Sequence, residues 1–174
     1  MRYAFLCIII FLMGCNRYNP ETEKKKSHPS HRYTYTDTSN YSIRYYETDY
    51  VPVYSDIYHR NGTRRFKLTA TISIRNTSLT NSAFILNACY YDSYGKKLTD
   101  YVDSTILLSP LESIEFVVDE EEQIGGAGAN FIINWAATRY RDQLWKQSVM
   151  IGTYGQQGIS FITDTKVISR QVIE

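Results

Sequence analysis

Cysteine, histidine and proline are all scarce in this chain of 174 residues. Of its three cysteines, Cys7 and Cys15 lie in a hydrophobic N-terminal leader, which leaves Cys89 without an intramolecular partner in the rest of the chain. A disulfide framework of the kind that staples small secreted domains is therefore excluded. Cys89 stands in a strand-like run, and we interpret it as a buried, inert thiol, because a free cysteine commonly behaves as a small core hydrophobe.

The three histidines give little support for metal or nucleophilic chemistry. His28 and His31 are spaced as His-x-x-His, but a two-ligand site in a flexible segment needs two further donors. No Gly-x-Ser-x-Gly motif is present, and the acidic run at 119–122 lacks the spaced pattern of a calcium loop, so we interpret it as a solvated turn. The sequence predicts no cofactor, no metal site and no catalytic residue, and leaves open only carboxylates that the fold brings together.

No apolar run is long enough to cross a bilayer. The leader run 4–13 has ten residues, whereas a spanning helix needs about twenty, and this length is typical of a signal peptide. It ends in Leu12-Met13-Gly14-Cys15, which resembles the lipobox of bacterial lipoproteins. The resemblance implies that residues 1–14 are a lipoprotein signal peptide and that acylated Cys15 inserts into membrane lipid. An ordinary secretory signal or a short membrane anchor is the alternative.

Residues 15–45 lack hydrophobic periodicity and contain Pro20 and Pro29, which predicts a disordered tether after the lipidated cysteine. Residues 16–44 carry six Lys/Arg against three Asp/Glu, and residues 45–174 carry twelve against fifteen. The basic residues of the tether are compatible with binding to anionic lipid head groups. A solvated linker is an equally good explanation of their positive charge. The mildly acidic remainder is a poor partner for nucleic acid. Asn16, where inner-membrane lipoproteins of enteric bacteria tend to have Asp, favours the outer membrane of the cell envelope and leaves the face open.

Strand-forming residues dominate the rest of the chain. Residues 66–74 alternate between apolar and polar, which predicts one buried face, and Asn61-Gly62 before them is a strong hairpin signal. With turn residues between the expected strands and no convincing helix, residues 46–174 are predicted to be all-β. We expect an immunoglobulin-like antiparallel β-sandwich of about seven to nine strands. The expected strands are 50–58, 66–75, 83–91, 101–107, 113–118, 129–137, 148–154, 159–163 and one near Val167.

Several short runs within residues 48–170 are similar to a bacterial family of exported lipoproteins with a domain of unknown function. The most specific is Gly-Gly-Ala-Gly-Ala-Asn-Phe at 125–131, followed by Trp135; others are 50–55, 73–78, 150–152 and 158–161. The resemblance implies that the protein is exported and that the domain covers roughly residues 48–170. It implies no catalytic residue. The glycines predict a tight connection, because the Lys-Ser/Thr of a phosphate loop is missing. Asn130 and Trp135 are the candidate residues here, either bridging neighbouring strands or lining a binding surface.

These observations favour a non-enzymatic protein-interaction module, in which a lipid-anchored sandwich binds an envelope protein through an exposed sheet face or edge. The alternative is a binder of glycans or small molecules that uses surface tyrosine and tryptophan. An extended flat apolar patch would favour the first function, and a cleft with convergent polar groups would favour the second. An enzyme would require a concave site with strongly perturbed acids.

Replacing Cys15 by Ala is expected to abolish the incorporation of labelled fatty acid into the protein, because the thiol that forms the thioether is lost. Cys89→Ala is the matched control and should keep the label. Metabolic labelling in growing cells followed by gel analysis measures both variants. Equal labelling of C15A and the wild-type chain would show that the lipobox assignment is wrong.

Overall fold

The computed structural model describes residues 33–121, 124–139 and 144–174. No helix in these three ranges has the length and apolar character that a membrane span requires. The predicted leader 1–14, Cys15 and most of the predicted tether lie outside the described residues. The described chain contains one short 3-10 turn, η1 (Thr38–Asn40), and thirteen strands: β1 (Thr34–Tyr35), β2 (Tyr45–Pro52), β3 (Asp56–His59), β4 (Arg64–Lys67), β5 (Thr69–Asn76), β6 (Ala83–Tyr91), β7 (Lys97–Val102), β8 (Ile106–Leu108), β9 (Ser113–Val118), β10 (Asn130–Ala137), β11 (Leu144–Tyr154), β12 (Gln157–Asp164) and β13 (Lys166–Val172).

The strands form two main antiparallel sheets. The first sheet has the strand order β1-β8-β6-β10-β2-β13, and β7 also pairs with β6. The second sheet has the order β12-β11-β5-β9, while β3 and β4 form a separate hairpin. Every strand pairing described is antiparallel. The predicted all-β antiparallel sandwich is confirmed.

The two sheets meet in one core because side chains alternate along each strand. In β9 the buried residues are Ile114, Phe116 and Val118, and the residues between them are partly exposed. Phe116 stacks on Phe131 of β10 in the other sheet, with ring centroids 6.2 Å apart and planes within 5°. Apolar residues of both sheets therefore fill the space between them, as expected for a sandwich.

The strand number exceeds the prediction because three expected strands are each interrupted and because β1 lies in the predicted tether, where no strand was expected. Residues 50–58 divide between β2 and β3, residues 66–75 between β4 and β5, and residues 101–107 between β7 and β8. At the second break Leu68 is fully buried and its N–H donates to the Ser55 carbonyl at 2.9 Å. This bond lies where the chain passes from the β3–β4 hairpin into the second sheet. The apolar alternation continues through the break, so periodicity does not reveal it.

The predicted tether extends to residue 45, but the structure places its last part in the domain. Thr34 and Tyr35 of β1 pair with Leu107 and Ile106 of β8. The hydroxyl of Tyr33 donates to the carbonyl of Glu115 at 3.3 Å. Tyr45 begins β2 and is buried. β1 has only two residues and is held by pairing with β8, so it has no periodic pattern of its own. For this reason the polar composition of the segment predicts disorder.

Gly152 in β11 lies where a side chain does not fit. A Cβ there would be 2.4 Å from Phe66 Cε1 and 2.6 Å from the Lys67 carbonyl oxygen. Gly152→Ala is therefore expected to lower the free energy of unfolding by about 1–3 kcal/mol, the usual effect of overpacking. Gly158→Ala on the paired strand is the control, because its nearest neighbour would be 3.7 Å away. Urea denaturation measures both variants, and equal stabilities would contradict the packing of β11 against Phe66.

Candidate functional site

Two carboxylates lie on the inward-facing side of β2. Tyr45, Glu47, Asp49 and Val51 share this face because alternate residues of a strand point the same way. Glu47 is 5% exposed and Asp49 is fully buried. Burying an ionised carboxylate costs several kcal/mol unless a partner of opposite charge compensates. Both residues therefore need cations or strong hydrogen-bond donors close by.

Lys146 supplies the compensating charge from the opposite sheet. Its Nζ lies 2.9 Å from Glu47 Oε1 and 2.6 Å from Asp49 Oδ2. The ammonium also stands 4.7 Å from the ring centroid of Trp135, within the range of a cation–π contact. Because Lys146 belongs to β11 and the carboxylates belong to β2, this buried ion pair joins the two sheets.

Trp135 and Arg170 flank the carboxylates within the first sheet, directly opposite Glu47 on the two neighbouring strands. The indole N–H of Trp135 donates to Asp49 Oδ2 at 2.8 Å and to Glu47 Oε1 at 3.2 Å. Arg170 donates through Nε to Glu47 Oε2 at 2.7 Å, and the Tyr45 hydroxyl donates to the same oxygen. We call these five residues the charged cluster: Glu47, Asp49, Trp135, Lys146 and Arg170.

The two carboxylates are shifted in opposite directions. Burial by itself raises the pKa of Glu47, but hydrogen bonds from Tyr45, Lys146 and Arg170 outweigh it and lower the pKa to about 2. Burial also raises the pKa of Asp49, and there the charge and hydrogen bond of Lys146 offset it only in part. Glu47 is therefore the firmly ionised member of the pair, and Asp49 is the member that protonates more readily.

A cleft of about 330 Å³ opens beside the charged cluster. Its lining includes the charged residues Glu47, Asp49, Lys146 and Arg170 and the apolar residues Leu144, Trp145 and Val167. Trp145 is 57% exposed. The second carboxylate oxygen of Asp49, Oδ1, is buried and has no hydrogen-bond partner among the described residues. The cleft thus combines an accessible aromatic ring with a buried acceptor that has spare capacity.

The structure does not bring the two sequence candidates Asn130 and Trp135 together. They stand five residues apart on β10 and therefore point to opposite faces of the sheet. Trp135 is 1% exposed and belongs to the charged cluster. Asn130 is partly exposed at the start of the strand, opposite Pro52 and Tyr91. Only Trp135 lies at the candidate site.

The glycine-rich segment at 125–128 is a tight connection. The N–H of Gly126 donates to Ser55 Oγ at 2.7 Å, and the N–H of Gly128 donates to Ser93 Oγ at 2.8 Å. A Cβ at Gly125 would lie 1.9 Å from the hydroxyl oxygen of Tyr90. Both amides are already bonded within the protein, in agreement with the connection that was predicted in place of a phosphate loop.

Within the described residues no three His, Cys, Asp or Glu side chains are grouped as a metal site would require. His28, His31 and Glu122 lie outside those residues. Cys89 is buried and free, as predicted, with its Sγ 2.9 Å from Asp100 Oδ1. Burial and the Asp100 carboxylate raise the pKa of its thiol, which disfavours the reactive thiolate.

Sequence reasoning missed Glu47, Asp49 and Lys146. The alternation of Tyr45, Glu47, Asp49 and Val51 is visible in the sequence, but charged residues are usually exposed, so the pattern does not indicate a buried face. Only the fold places Lys146 opposite the two acids.

The β11–β12 hairpin concentrates exposed apolar side chains. Four of them, which we call the apolar hairpin, are Ile151 (52% exposed), Tyr154 (73%), Ile159 (40%) and Ile162 (58%). β12 is the outermost strand of the second sheet and pairs with β11 over eight residues without a register shift. One side of β12 therefore presents backbone groups that no other described strand pairs.

Comparisons with known proteins give a family without an assigned activity. A family model described as a protein of unknown function, DUF3124, matches residues 46–168. No curated protein matches the chain. The crystal structure of Thermotoga maritima 1070 aligns with 72% of this chain and 94% of that chain, at 11% identity and a TM-score of 0.42. A likeness at this TM-score supports no conclusion about fold or function.

Lys146→Met is expected to lower the free energy of unfolding by about 3–5 kcal/mol, because it leaves the buried Asp49 without a cation and Glu47 with Arg170 alone. Lys97→Met is the matched control. Lys97 pairs with Asp100 at the surface, where both side chains are more than 40% exposed, so its loss should leave the free energy of unfolding nearly unchanged. Chemical denaturation at neutral pH measures the difference, and equal losses would show that the charged cluster is not a structural ion pair.

Proposed function

The chain belongs to the DUF3124 family of proteins of unknown function, and we propose that it acts as a lipid-anchored, non-enzymatic protein-interaction module of the bacterial cell envelope. Membrane attachment is through acylated Cys15, as the lipobox resemblance implies, with the outer membrane as the expected location. The partner is an envelope protein that contributes an extended segment. That segment pairs with the free edge of β12, and the apolar hairpin carries this proposal.

Up to its last residue, Asp164, the edge of β12 lacks the features that usually prevent strand pairing. Natural edge strands are commonly protected by charged side chains, prolines or bulges. Residues 157–163 contain no charged residue and no proline, and the pairing of β12 with β11 has no register shift. An added strand would satisfy the unpaired N–H and C=O groups and bury the isoleucines beside them.

The exposed apolar side chains are unevenly distributed along the chain. Of fifteen large hydrophobic side chains that are exposed among the described residues, eight lie between residues 145 and 173. Isolated exposed hydrophobics are normal, whereas a concentration of them marks an interaction surface. The C-terminal strands are therefore the best-supported contact region.

The non-enzymatic part of the proposal is supported by the state of the acid pair. Glu47 and Asp49 are at most 5% exposed. Three of their four carboxylate oxygens already accept hydrogen bonds from the cluster or from Tyr45. These bonds hold both carboxylates within the buried ion pair, whereas a general acid or base must exchange its proton with the substrate.

The test is site-specific photo-crosslinking in intact cells, with the photoreactive residue at Ile162 in one strain and at Leu79 in a control strain. Leu79 is 77% exposed and lies in the β5–β6 connection, which begins beside Leu144 at the end of β11 distant from the hairpin turn. We expect one envelope protein to be recovered from the first strain only. Ile162→Lys should reduce co-purification of that protein about tenfold, because a lysine on an edge strand disfavours pairing.

Two results would overturn the proposal. The first is recovery of the same proteins from both positions. The second is crosslinking of the chain to itself, together with a purified dimer that Ile162→Lys dissociates, because the surface would then join two copies of this chain. The variant should keep the wild-type melting temperature, since Ile162 is more than half exposed.

A further inference from the structure

The buried carboxylate of Asp49 has unused hydrogen-bonding capacity at the cleft. Asp49 is fully buried, and its Oδ2 accepts from Trp135 and Lys146. Its Oδ1 has no donor among the described residues. A buried acceptor without a donor has lost its hydration and gained no hydrogen bond in return, so such a group in a native protein calls for a partner. Because Asp49 lines the cleft, a molecule in the cleft is placed to supply that donor.

The arrangement of charges around the cleft disfavours the binding of an anion or a cation. The carboxylates of Glu47 and Asp49 are balanced by Lys146 and Arg170, and Asp164 adds one further negative charge to the lining. An anion would meet three carboxylates, and a cation would meet the ammonium and guanidinium that already hold the buried pair. A neutral molecule with hydroxyl groups donates to Asp49 without disturbing this balance.

Apolar residues also line the cleft. Trp145 is 57% exposed, and Leu144 and Val167 belong to the same lining. An indole face provides a large, rigid apolar contact area for the C–H face of a ring. The cleft volume of about 330 Å³ is at the small end of the usual range for ligand sites, which suits a single ring.

We propose that this cleft is a binding site for a neutral, hydroxyl-rich ring molecule of monosaccharide size. The ring stacks on Trp145, one hydroxyl donates to Asp49 Oδ1, and the exposed guanidinium of Arg170 donates to another hydroxyl. Lys146 and Trp135 are positioning residues that hold the Asp49 carboxylate in place through its Oδ2. The site is separate from the apolar hairpin and does not depend on the function proposed above.

Saturation-transfer NMR and calorimetry on the full chain, purified in a detergent without a sugar head group, test this proposal. The probes are glucose, N-acetylglucosamine, glucuronate and the open-chain polyol sorbitol. We expect saturable binding of at least one of the two neutral sugars. Glucuronate and sorbitol should each bind about tenfold more weakly, because one adds a carboxylate and the other lacks the rigid ring.

Trp145→Ala should weaken binding of the neutral sugar about tenfold through loss of the stacking surface. Ile151→Ala is the matched control, because Ile151 lies on the same face of β11 and is similarly exposed but does not line the cleft. Asp49→Asn should also weaken binding, because an amide that keeps its oxygen toward Lys146 presents N–H donors to the cleft. Circular dichroism establishes that each variant is folded.

Failure to detect saturable binding of either neutral sugar up to its solubility limit would overturn the proposal. Equal affinity of Trp145→Ala and wild type, or tighter binding of glucuronate than of glucose, would overturn it as well. Ile162→Lys should leave sugar binding unchanged. The sugar site and the protein-interaction surface can therefore fail independently.

Discussion

The ammonium group of Lys146, held between Glu47 and Asp49, is the contact on which the arrangement of the two sheets depends. A buried ion pair adds little net stability, but removal of one member leaves an unpaired charge at a cost of several kcal/mol. The same penalty applies to any strand pairing that separates Lys146 from Glu47 and Asp49. A one-residue slip of β2 would turn both carboxylates to the other face of the sheet and leave Lys146 alone in the core. The charged cluster therefore specifies the register of β2 and its position opposite β11.

The cleft is a consequence of the same short segment of β11. Successive residues of a strand point to opposite sides, so Lys146 enters the core while Trp145 faces outward. Near the edge of the sandwich both side chains border one opening. A buried cation and an accessible aromatic ring thus come from adjacent residues. This explains how a site with both charged and aromatic lining residues arises without any long loop.

Much of the fold was predictable from local patterns. β6 and β9 have the predicted bounds, and the β3–β4 hairpin surrounds the Asn61-Gly62 turn signal. The boundaries failed where a strand changes partners, as at Leu68, because the buried-exposed alternation is the same before and after the break. Trp135 was recognised as a candidate, yet its partners were not. Which residue lies opposite Glu47 is a matter of long-range pairing, and neither composition nor spacing encodes it. The lipid anchor, the envelope location and the binding functions rest on resemblance and surface chemistry.

The position of β1 has a consequence for how the molecule is held. β1 and β13 occupy opposite ends of the strand order in the first sheet. At about 4.8 Å per strand, these ends are roughly 24 Å apart. Any attachment through the N-terminal segment therefore holds the domain by one flank, and β13 with the neighbouring cleft lies at the other. The width of the sheet then separates the point of attachment from the C-terminal strands. A large molecule can contact these strands without contacting the attached segment.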